Sequence, residues 1–293
     1  MIPKEVISKI KRMQITTSRK VTDVFAGQYK SVFKGMGIEF DEVREYLPGD
    51  EIRSIDWNVT ARMGHPYIKK YVEERQLTIM LLLDVSMSCR YGTVGRIKSE
   101  LAAELCSVIA FSAISNNDKV GMATFTDRVE KFIPPRKGTR HVLRVIREAL
   151  YNKPEGTGTD INNVLEYLNN VTTRSTITFI ISDFFAPDFK KKLSITNKRH
   201  DVIAITVTDP SESVLPSAGI VKLHDAETGL PYIADTSDPL ARRNYRVQAN
   251  KLKDQRAHMF RSVNVDEVAI RTDESYMDPL IRFFRMRERR LRR

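Results

Sequence analysis

A dense run of hydrophobic positions opens the segment from Leu77 to Ser88, LTIMLLLDVSMS. An unbroken apolar run of this length predicts a strand that is covered on both faces, as in a parallel sheet. The run ends on three polar side chains, Asp84, Ser86 and Ser88. Because ligands of open α/β sheets bind outside the carboxyl ends of the strands, we expect these three side chains to lie in a binding site.

Downstream of this segment the hydrophobic pattern alternates between strand and helix. The spacing of apolar residues predicts strands at 119–125, 176–182, 201–207 and 265–271, an antiparallel strand at 128–133, a hairpin at 220–223 and 232–234, and helices at 99–115, 140–150, after Asp160, at 239–262 and from 275 onward. Such alternation is typical of a doubly wound sheet with right-handed crossovers.

The first part of the chain has a different pattern. Apolar residues at helical spacing predict a short amphipathic helix at 2–16, and short β segments are expected at 38–40 and 67–71. The overall prediction is an α/β protein with a doubly wound, mostly parallel sheet and a small N-terminal β-rich subdomain. We expect three regions: an N-terminal helix and β-rich subdomain at 1–75, the sheet domain at 76–235, and C-terminal helices with a last strand at 236–293, packed on the same domain.

The composition limits the class of protein. The chain has 293 residues with 41% hydrophobic and 29% charged residues, which is ordinary for a globular protein. No apolar run reaches the roughly 18 residues of a membrane helix, the N-terminus lacks the apolar core of a signal peptide, and two cysteines do not suggest a disulfide framework. These features predict a cytoplasmic protein with reduced thiols.

Three predicted loops carry oxygen-bearing side chains to one side of the sheet. They contain Asp84 with Ser86 and Ser88, the segment 155–160 with Thr159, and Asp183 after a second buried strand. Two carboxylates and three hydroxyls are hard ligands that suit Mg²⁺ or Mn²⁺. Asp160, next to Thr159, is expected to cap the following helix instead.

The segment Asp84-Val85-Ser86-Met87-Ser88, together with Thr159 and Asp183, resembles the metal-ion-dependent adhesion site of von Willebrand factor A domains. The resemblance implies that Ser86 and Ser88 bind the metal through their hydroxyls. It implies that Asp84 and Asp183 hold it directly or through water, with Thr159 joining in some states. An Asp or Glu of a partner protein would fill the sixth position.

A second resemblance covers most of the chain. It rests on segments that include Gly35-Met36-Gly37-Ile38-Glu39-Phe40-Asp41, Pro48-Gly49-Asp50, Arg53-Ser54-Ile55-Asp56-Trp57, Thr60-Ala61-Arg62 and Arg199-His200-Asp201. These segments resemble the bacterial Domain of Unknown Function 58 family, whose members carry a von Willebrand A-like domain. The resemblance implies an adaptor or assembly partner of a MoxR-type AAA+ ATPase, and we predict Asp56, Trp57 and Arg62 as further partner contacts.

Enzymatic interpretations are weaker. The sequence has no phosphate-binding loop of the Gly-x4-Gly-Lys-Ser/Thr type and no His-Glu-x-x-His segment, and Ser86 has no evident partner base. We therefore predict a metal-dependent protein–protein interaction module without enzymatic activity. A Mg²⁺-dependent hydrolase that uses the same cluster is the alternative.

Two further interpretations remain open. The formal net charge is +11, and much of the excess comes from the arginine-rich C-terminal segment. That segment offers an alternative role in binding nucleic acid or, peripherally, an anionic membrane. Alternatively, the metal site is vestigial and the subdomain around Trp57 makes the main contact.

Overall fold

The computed structural model describes Val32 and residues 38–73, 77–186, 188–224 and 230–291. These residues divide into two compact units, one within residues 33–77 and the other from 78 onward together with Val32. The helix predicted at 2–16 lies outside the described residues.

The smaller unit is a two-stranded antiparallel sheet with one short helix. Strand β1 (Ile38–Glu45) pairs with β2 (Tyr67–Glu73), and α1 (Trp57–Met63) lies between them in sequence. Asp56 begins α1 by accepting hydrogen bonds from the backbone N–H groups of residues 58 and 59. This unit confirms the predicted β-rich N-terminal subdomain, and both strands extend beyond their predicted cores.

The larger unit contains a six-stranded sheet and a separate hairpin. The strands are β3 (Thr78–Asp84), β4 (Lys119–Phe125), β5 (Val129–Arg136), β6 (Ile177–Ser182), β7 (Asp201–Thr208), β8 (Ile220–His224), β9 (Pro231–Asp235) and β10 (Asp266–Arg271). In the sheet the order is β10–β7–β6–β3–β4–β5, and β5 alone runs antiparallel to its neighbour. The hairpin consists of β8 and β9. The predicted doubly wound, mostly parallel α/β fold is confirmed.

Helices cover both faces of this sheet. They are α2 (Lys98–Ser115), α3 (Thr139–Tyr151), α4 (Ile161–Val171), α5 (Lys190–Arg199), α6 (Pro239–Ser262) and α7 (Met277–Leu291). Met80 and Leu82 of β3 share a buried cluster with α4, α5 and the end of α6. The alternate residues of β3 point to the other face, where α2 contacts β3, β4 and β7. Burial on both faces explains why β3 is apolar throughout.

The C-terminal helix α7 packs through its apolar side. Phe283 and Phe284 are buried, while Arg287 pairs with Asp201 and Asp266 at 2.6 and 2.8 Å. The basic C-terminal segment therefore anchors α7 to the sheet through Arg287. Within the described residues, no helix is long and apolar enough to cross a membrane.

A buried histidine links α5 to the sheet and makes stability dependent on pH. His200 is 3% exposed, and its Nδ1 accepts a hydrogen bond from the backbone N–H of Thr176 at 3.2 Å. Burial, together with the charge of Arg199, lowers the pKa of His200 to about 4. The neutral ring is therefore favoured in the folded protein, and its contribution to stability is present above about pH 6.5 and lost as the pH falls towards 4.

We predict that lowering the pH from 7 to 5 reduces the free energy of unfolding of the wild type by about 1 to 2 kcal/mol more than that of His200→Asn. Asparagine is chosen because its side-chain oxygen can also accept the hydrogen bond from Thr176. Urea unfolding at the two pH values measures this difference. Equal losses in the two proteins would show that His200 does not titrate in this range.

Candidate metal centre

The centre lies where the order of the strands reverses. From β3 the chain proceeds to β4 and β5 on one side, and then to β6, β7 and β10 on the other. Adjacent parallel strands β3 and β6 end on Asp84 and Ser182, so the side chains that follow them meet in the crevice at this switch point. In open α/β sheets this is the position at which ligands bind.

Asp84 is held by hydrogen bonds to both of its carboxylate oxygens. It is the last residue of β3 and is 1% exposed. Its Oδ1 accepts from the backbone N–H of Ser86 at 2.9 Å, and its Oδ2 accepts from the Ser182 hydroxyl at 2.5 Å. Ser182 thus orients Asp84 across the crevice, a role that sequence reasoning did not assign to it.

Ser86 and Ser88 present their hydroxyls on the same side of a short 3-10 turn, Met87–Arg90. Their Oγ atoms are 3.1 Å apart, Ser86 is buried and Ser88 is partly buried. The alternate spacing in the sequence therefore places two hydroxyl oxygens side by side, next to the carboxylate of Asp84.

The loop with Thr159 is fastened against this turn. The backbone N–H of Met87 donates to the carbonyl of Thr157 at 3.1 Å, and that of Asp160 donates to the carbonyl of Thr126 at 2.9 Å. Asp160 accepts from the N–H groups of residues 162 and 163, which confirms that it caps α4. Thr159 itself is 6% exposed, and its hydroxyl makes no hydrogen bond to any described residue.

Glu130 and Gly156 keep this loop close to the sheet, and neither was predicted. The Glu130 carboxylate accepts from the backbone N–H of Gly156 at 2.8 Å and from the Thr126 hydroxyl at 2.7 Å. A Cβ at position 156 would lie 2.3 Å from Oγ1 and 2.9 Å from Cβ of the buried Thr126, so the close approach requires glycine.

Asp183 completes the set from the end of β6. It is 0% exposed, and its Oδ1 accepts from the backbone N–H of Phe185 at 3.2 Å. Phe184, between them, has a φ of 59° in the left-handed region, which is uncommon for a bulky residue. Its ring packs edge-to-face on Phe260 with 5.0 Å between centroids, and this burial stabilises the sharp turn.

A buried lysine lies against Asp183. Lys98 is the first residue of α2, is 1% exposed, and donates from Nζ to Asp183 Oδ2 at 2.8 Å and to Glu212 Oε1. Burial alone would lower the pKa of Lys98, but the charges of Asp183 and Glu212 outweigh it and raise the pKa. No sequence pattern marked Lys98, because the contact joins residues 85 positions apart.

Buried like charges shape the electrostatics of the centre. Burial and the neighbouring charge of Asp183 raise the pKa of Asp84 to about 6. Burial and the same two carboxylates raise the pKa of the Cys89 thiol, whose sulfur lies within 4.8 Å of oxygens of both. An added cation would relieve the repulsion between the carboxylates.

The residues fit a hard divalent cation. The Thr159 hydroxyl is buried without a partner in the described chain, and two adjacent serine hydroxyls accompany two buried carboxylates. An unpartnered buried hydroxyl costs free energy unless something binds it. Oxygen donors of these types suit Mg²⁺ or Mn²⁺. The residues that would hold such an ion are Asp84, Ser86, Ser88, Thr159 and Asp183.

The three residues predicted as further partner contacts lie together in the smaller unit. Asp56 is 9% exposed and its carboxylate caps α1, whereas Trp57 is 66% exposed and Arg62 is exposed in the last turn. The Asp56 carboxylate thus has a structural role as a helix cap, and all three residues remain predicted partner contacts.

A family model described as "Protein of unknown function DUF58" matches residues 42–256. The chain belongs to this family. The uncharacterized protein Rv1480 of Mycobacterium tuberculosis is 30% identical over 284 residues, which cover 96% of this chain and 89% of the relative. The uncharacterized protein YeaD of Bacillus subtilis is 27% identical over 108 residues, 36% of this chain and 24% of that protein.

The solved structures are less similar in sequence to the DUF58 protein than these relatives are. The conserved hypothetical protein BatB from Bacteroides thetaiotaomicron aligns with 73% of this chain and 99% of its own, at 17% identity and a TM-score of 0.45. The SpRpn10 VWA domain aligns with 71% of this chain and 94% of its own, at 14% identity and a TM-score of 0.38.

We predict that Asp84→Asn, in the presence of a chelator at pH 8, is about 1 to 2 kcal/mol more stable than the wild type. A carboxyl whose folded-state pKa is raised to about 6 loses stability as the pH rises from about 4 through 6, and asparagine removes that loss while keeping an acceptor for Ser86.

Chemical unfolding in chelator at pH 5 and pH 8 measures this effect. Asp84→Ala is the matched control, because it removes the charge and the hydrogen bonds together and is expected to be less stable than Asp84→Asn. A wild type as stable as Asp84→Asn at pH 8 would contradict the proposed repulsion.

Proposed function

We propose that this DUF58 protein is a metal-dependent protein–protein interaction module that uses Mg²⁺ or Mn²⁺ to bind an acidic side chain of its partner. Membership of the family and the α/β fold are consistent with an interaction module. The observation that carries the metal dependence is the Thr159 hydroxyl, buried without a described partner beside the paired serines and buried carboxylates.

Charge supports an anionic partner group. Asp84 and Asp183 would supply two negative charges, but Lys98 already offsets part of the charge of Asp183, so a bound divalent cation would keep excess positive charge. Neutral hydroxyls would supply the remaining protein ligands. A position left on such a cation would favour a carboxylate from outside, because water and hydroxyls bring no charge to it. Aspartate or glutamate of a partner is therefore the expected group.

Exposed apolar side chains adjoin the ligands in sequence. Met87 lies between Ser86 and Ser88 and is 39% exposed, and Phe185 lies two positions after Asp183 and is 45% exposed. A charged anchor flanked by apolar contacts is a common arrangement at interaction hot spots. This surface favours a partner whose acidic residue has hydrophobic neighbours.

The partner that we propose is a MoxR-type AAA+ ATPase, as the family resemblance implies, and we place the interaction in the cytoplasm. The net charge of +11 favours an acidic partner surface and faster association. On α7, Arg282, Arg285 and Arg289 are exposed and form no salt bridge within the described part of the chain. These arginines offer a secondary contact with such a surface.

The contacts of the centre favour binding over catalysis. The described neighbours of the Ser86 hydroxyl are the Ser88 hydroxyl, the Cys89 thiol and Asp84, and Asp84 is itself a proposed metal ligand. The His141 and His200 rings bond to Val120 and Thr176 instead. A serine nucleophile needs a free base within hydrogen-bond reach, and a carboxylate that binds a metal is not free. We therefore propose that the centre binds a partner and does not turn over a substrate.

Replacing Thr159 with valine separates metal binding from folding. Valine keeps the shape and removes the unpartnered hydroxyl, so we expect Thr159→Val to be as stable as the wild type in chelator or up to about 1 kcal/mol more stable. We expect its affinity for Mn²⁺ to fall about threefold or more, because one ligand is lost.

Calorimetric titration with Mn²⁺ and unfolding in chelator provide the two measurements. Glu166→Gln, which changes an exposed carboxylate of α4 that pairs with Lys192, is the matched control and should bind Mn²⁺ as the wild type does. Equal binding by wild type, Thr159→Val and Asp84→Asn would overturn the metal centre.

Capture of a MoxR-type ATPase by the immobilised full chain should require Mg²⁺, and both chelation and Asp84→Asn should abolish it. Loss of capture in a folded Trp57→Ala variant alone would instead favour the smaller unit as the main contact. Phosphoester turnover that disappears in Asp84→Asn would overturn the non-enzymatic assignment.

A further inference from the structure

Lys98, which pairs with the proposed metal ligand Asp183, is a buried lysine. A buried ammonium group costs several kcal/mol unless charges and hydrogen bonds compensate it. The Lys98 side chain is 2% exposed, and those of its partners Asp183 and Glu212 are 0% and 17% exposed. The Asp183 carboxylate therefore already has a cation bound to it within the fold.

Glu212 is held in place by its own short helix. It belongs to the 3-10 turn Pro210–Glu212, in which the backbone N–H of Asp209 donates to Glu212 Oε2 at 3.2 Å. Asp209 is in turn fixed by Thr93 and Thr272, whose hydroxyls donate to its carboxylate at 2.5 and 2.8 Å. The second acceptor of Lys98 is therefore positioned by the fold.

We propose that Lys98 is the internal counter-cation of the metal centre: it neutralises Asp183 when no divalent ion is bound and weakens the binding of that ion. The proposal rests on the metal centre of the proposed function. Asp183 is shared between the two cations, and two positive groups on one carboxylate repel each other. Glu212 draws positive charge away from Asp183, so it moderates the competition.

Three variants test this charge relationship. Lys98→Met keeps the length of the side chain and removes its charge, so Mn²⁺ should bind about tenfold more tightly or better. Glu212→Gln keeps a hydrogen-bond acceptor but leaves the lysine charge fully on Asp183, so Mn²⁺ should bind about threefold more weakly. The double variant removes both charges and should have an affinity between those of the two single variants.

Thermal unfolding provides a readout that does not depend on function. In chelator, Lys98→Met lacks the cation that pairs with the Asp183 carboxylate, so its melting temperature should fall below that of the wild type. Saturating Mn²⁺ should raise the melting temperature of Lys98→Met by more than it raises that of the wild type, because the ion replaces the missing charge. A loss of the same size in chelator and in Mn²⁺ would mean that Lys98 acts only through packing.

The outcomes separate this inference from the proposed function. If the wild type, Lys98→Met and Glu212→Gln all bind Mn²⁺ with the same affinity, the role of Lys98 is overturned and the metal centre stands. If only Lys98→Met binds Mn²⁺, the role of Lys98 is supported and the metal dependence of the wild type is overturned. Absence of binding in every protein overturns the metal centre and this role of Lys98 together. If Lys98→Met does not fold, Glu212→Gln still tests the proposal: weaker Mn²⁺ binding supports it, and unchanged or tighter binding overturns it.

Discussion

Two buried carboxylates of like charge, Asp84 and Asp183, meet where adjacent parallel strands end. A folded chain can tolerate this pair only if protons, fixed donors or a cation offset the repulsion. The structure supplies all three types of compensation to different degrees: a raised pKa at Asp84, hydrogen bonds from Ser182 and from backbone N–H groups, and the ammonium group of Lys98. The surrounding loops follow from this requirement, since each brings a donor or an oxygen ligand to the crevice.

The crevice is also a consequence of topology. Strand order reverses between β3 and β6, so the loops that leave these two strands diverge and expose the space between them. Burial on both faces makes the strands rigid, and rigid strand ends position the carboxylates more firmly than flexible loops would. The loop with Thr159 comes from elsewhere in the chain and depends on Glu130 and on the absence of a side chain at Gly156. The centre is thus formed by two strand ends and by a third loop that these contacts hold against them.

The same polar network connects the centre to the far parts of the larger unit. Arg256 of α6 donates to the Asp183 carbonyl at 3.1 Å, and Glu212 links Lys98 to the turn after β7. Asp183 is therefore tied to α2, to the turn after β7 and to α6.

The sequence by itself determined the fold class and the identity of the oxygen-bearing residues. Local patterns sufficed for these, because the apolar run before Asp84, the cap at Asp160 and the alternate serines each act within a few positions of the chain. Only the tertiary structure decided the roles of Ser182, Glu130 and Lys98, whose contacts cross 98, 26 and 85 positions. Hydrogen bonds and charge pairs at such separations leave no periodic signal, because they depend on which strands become neighbours. The balance of charge around Asp183, between the ammonium group of Lys98 and the neighbouring carboxylates, is therefore a property of the folded chain.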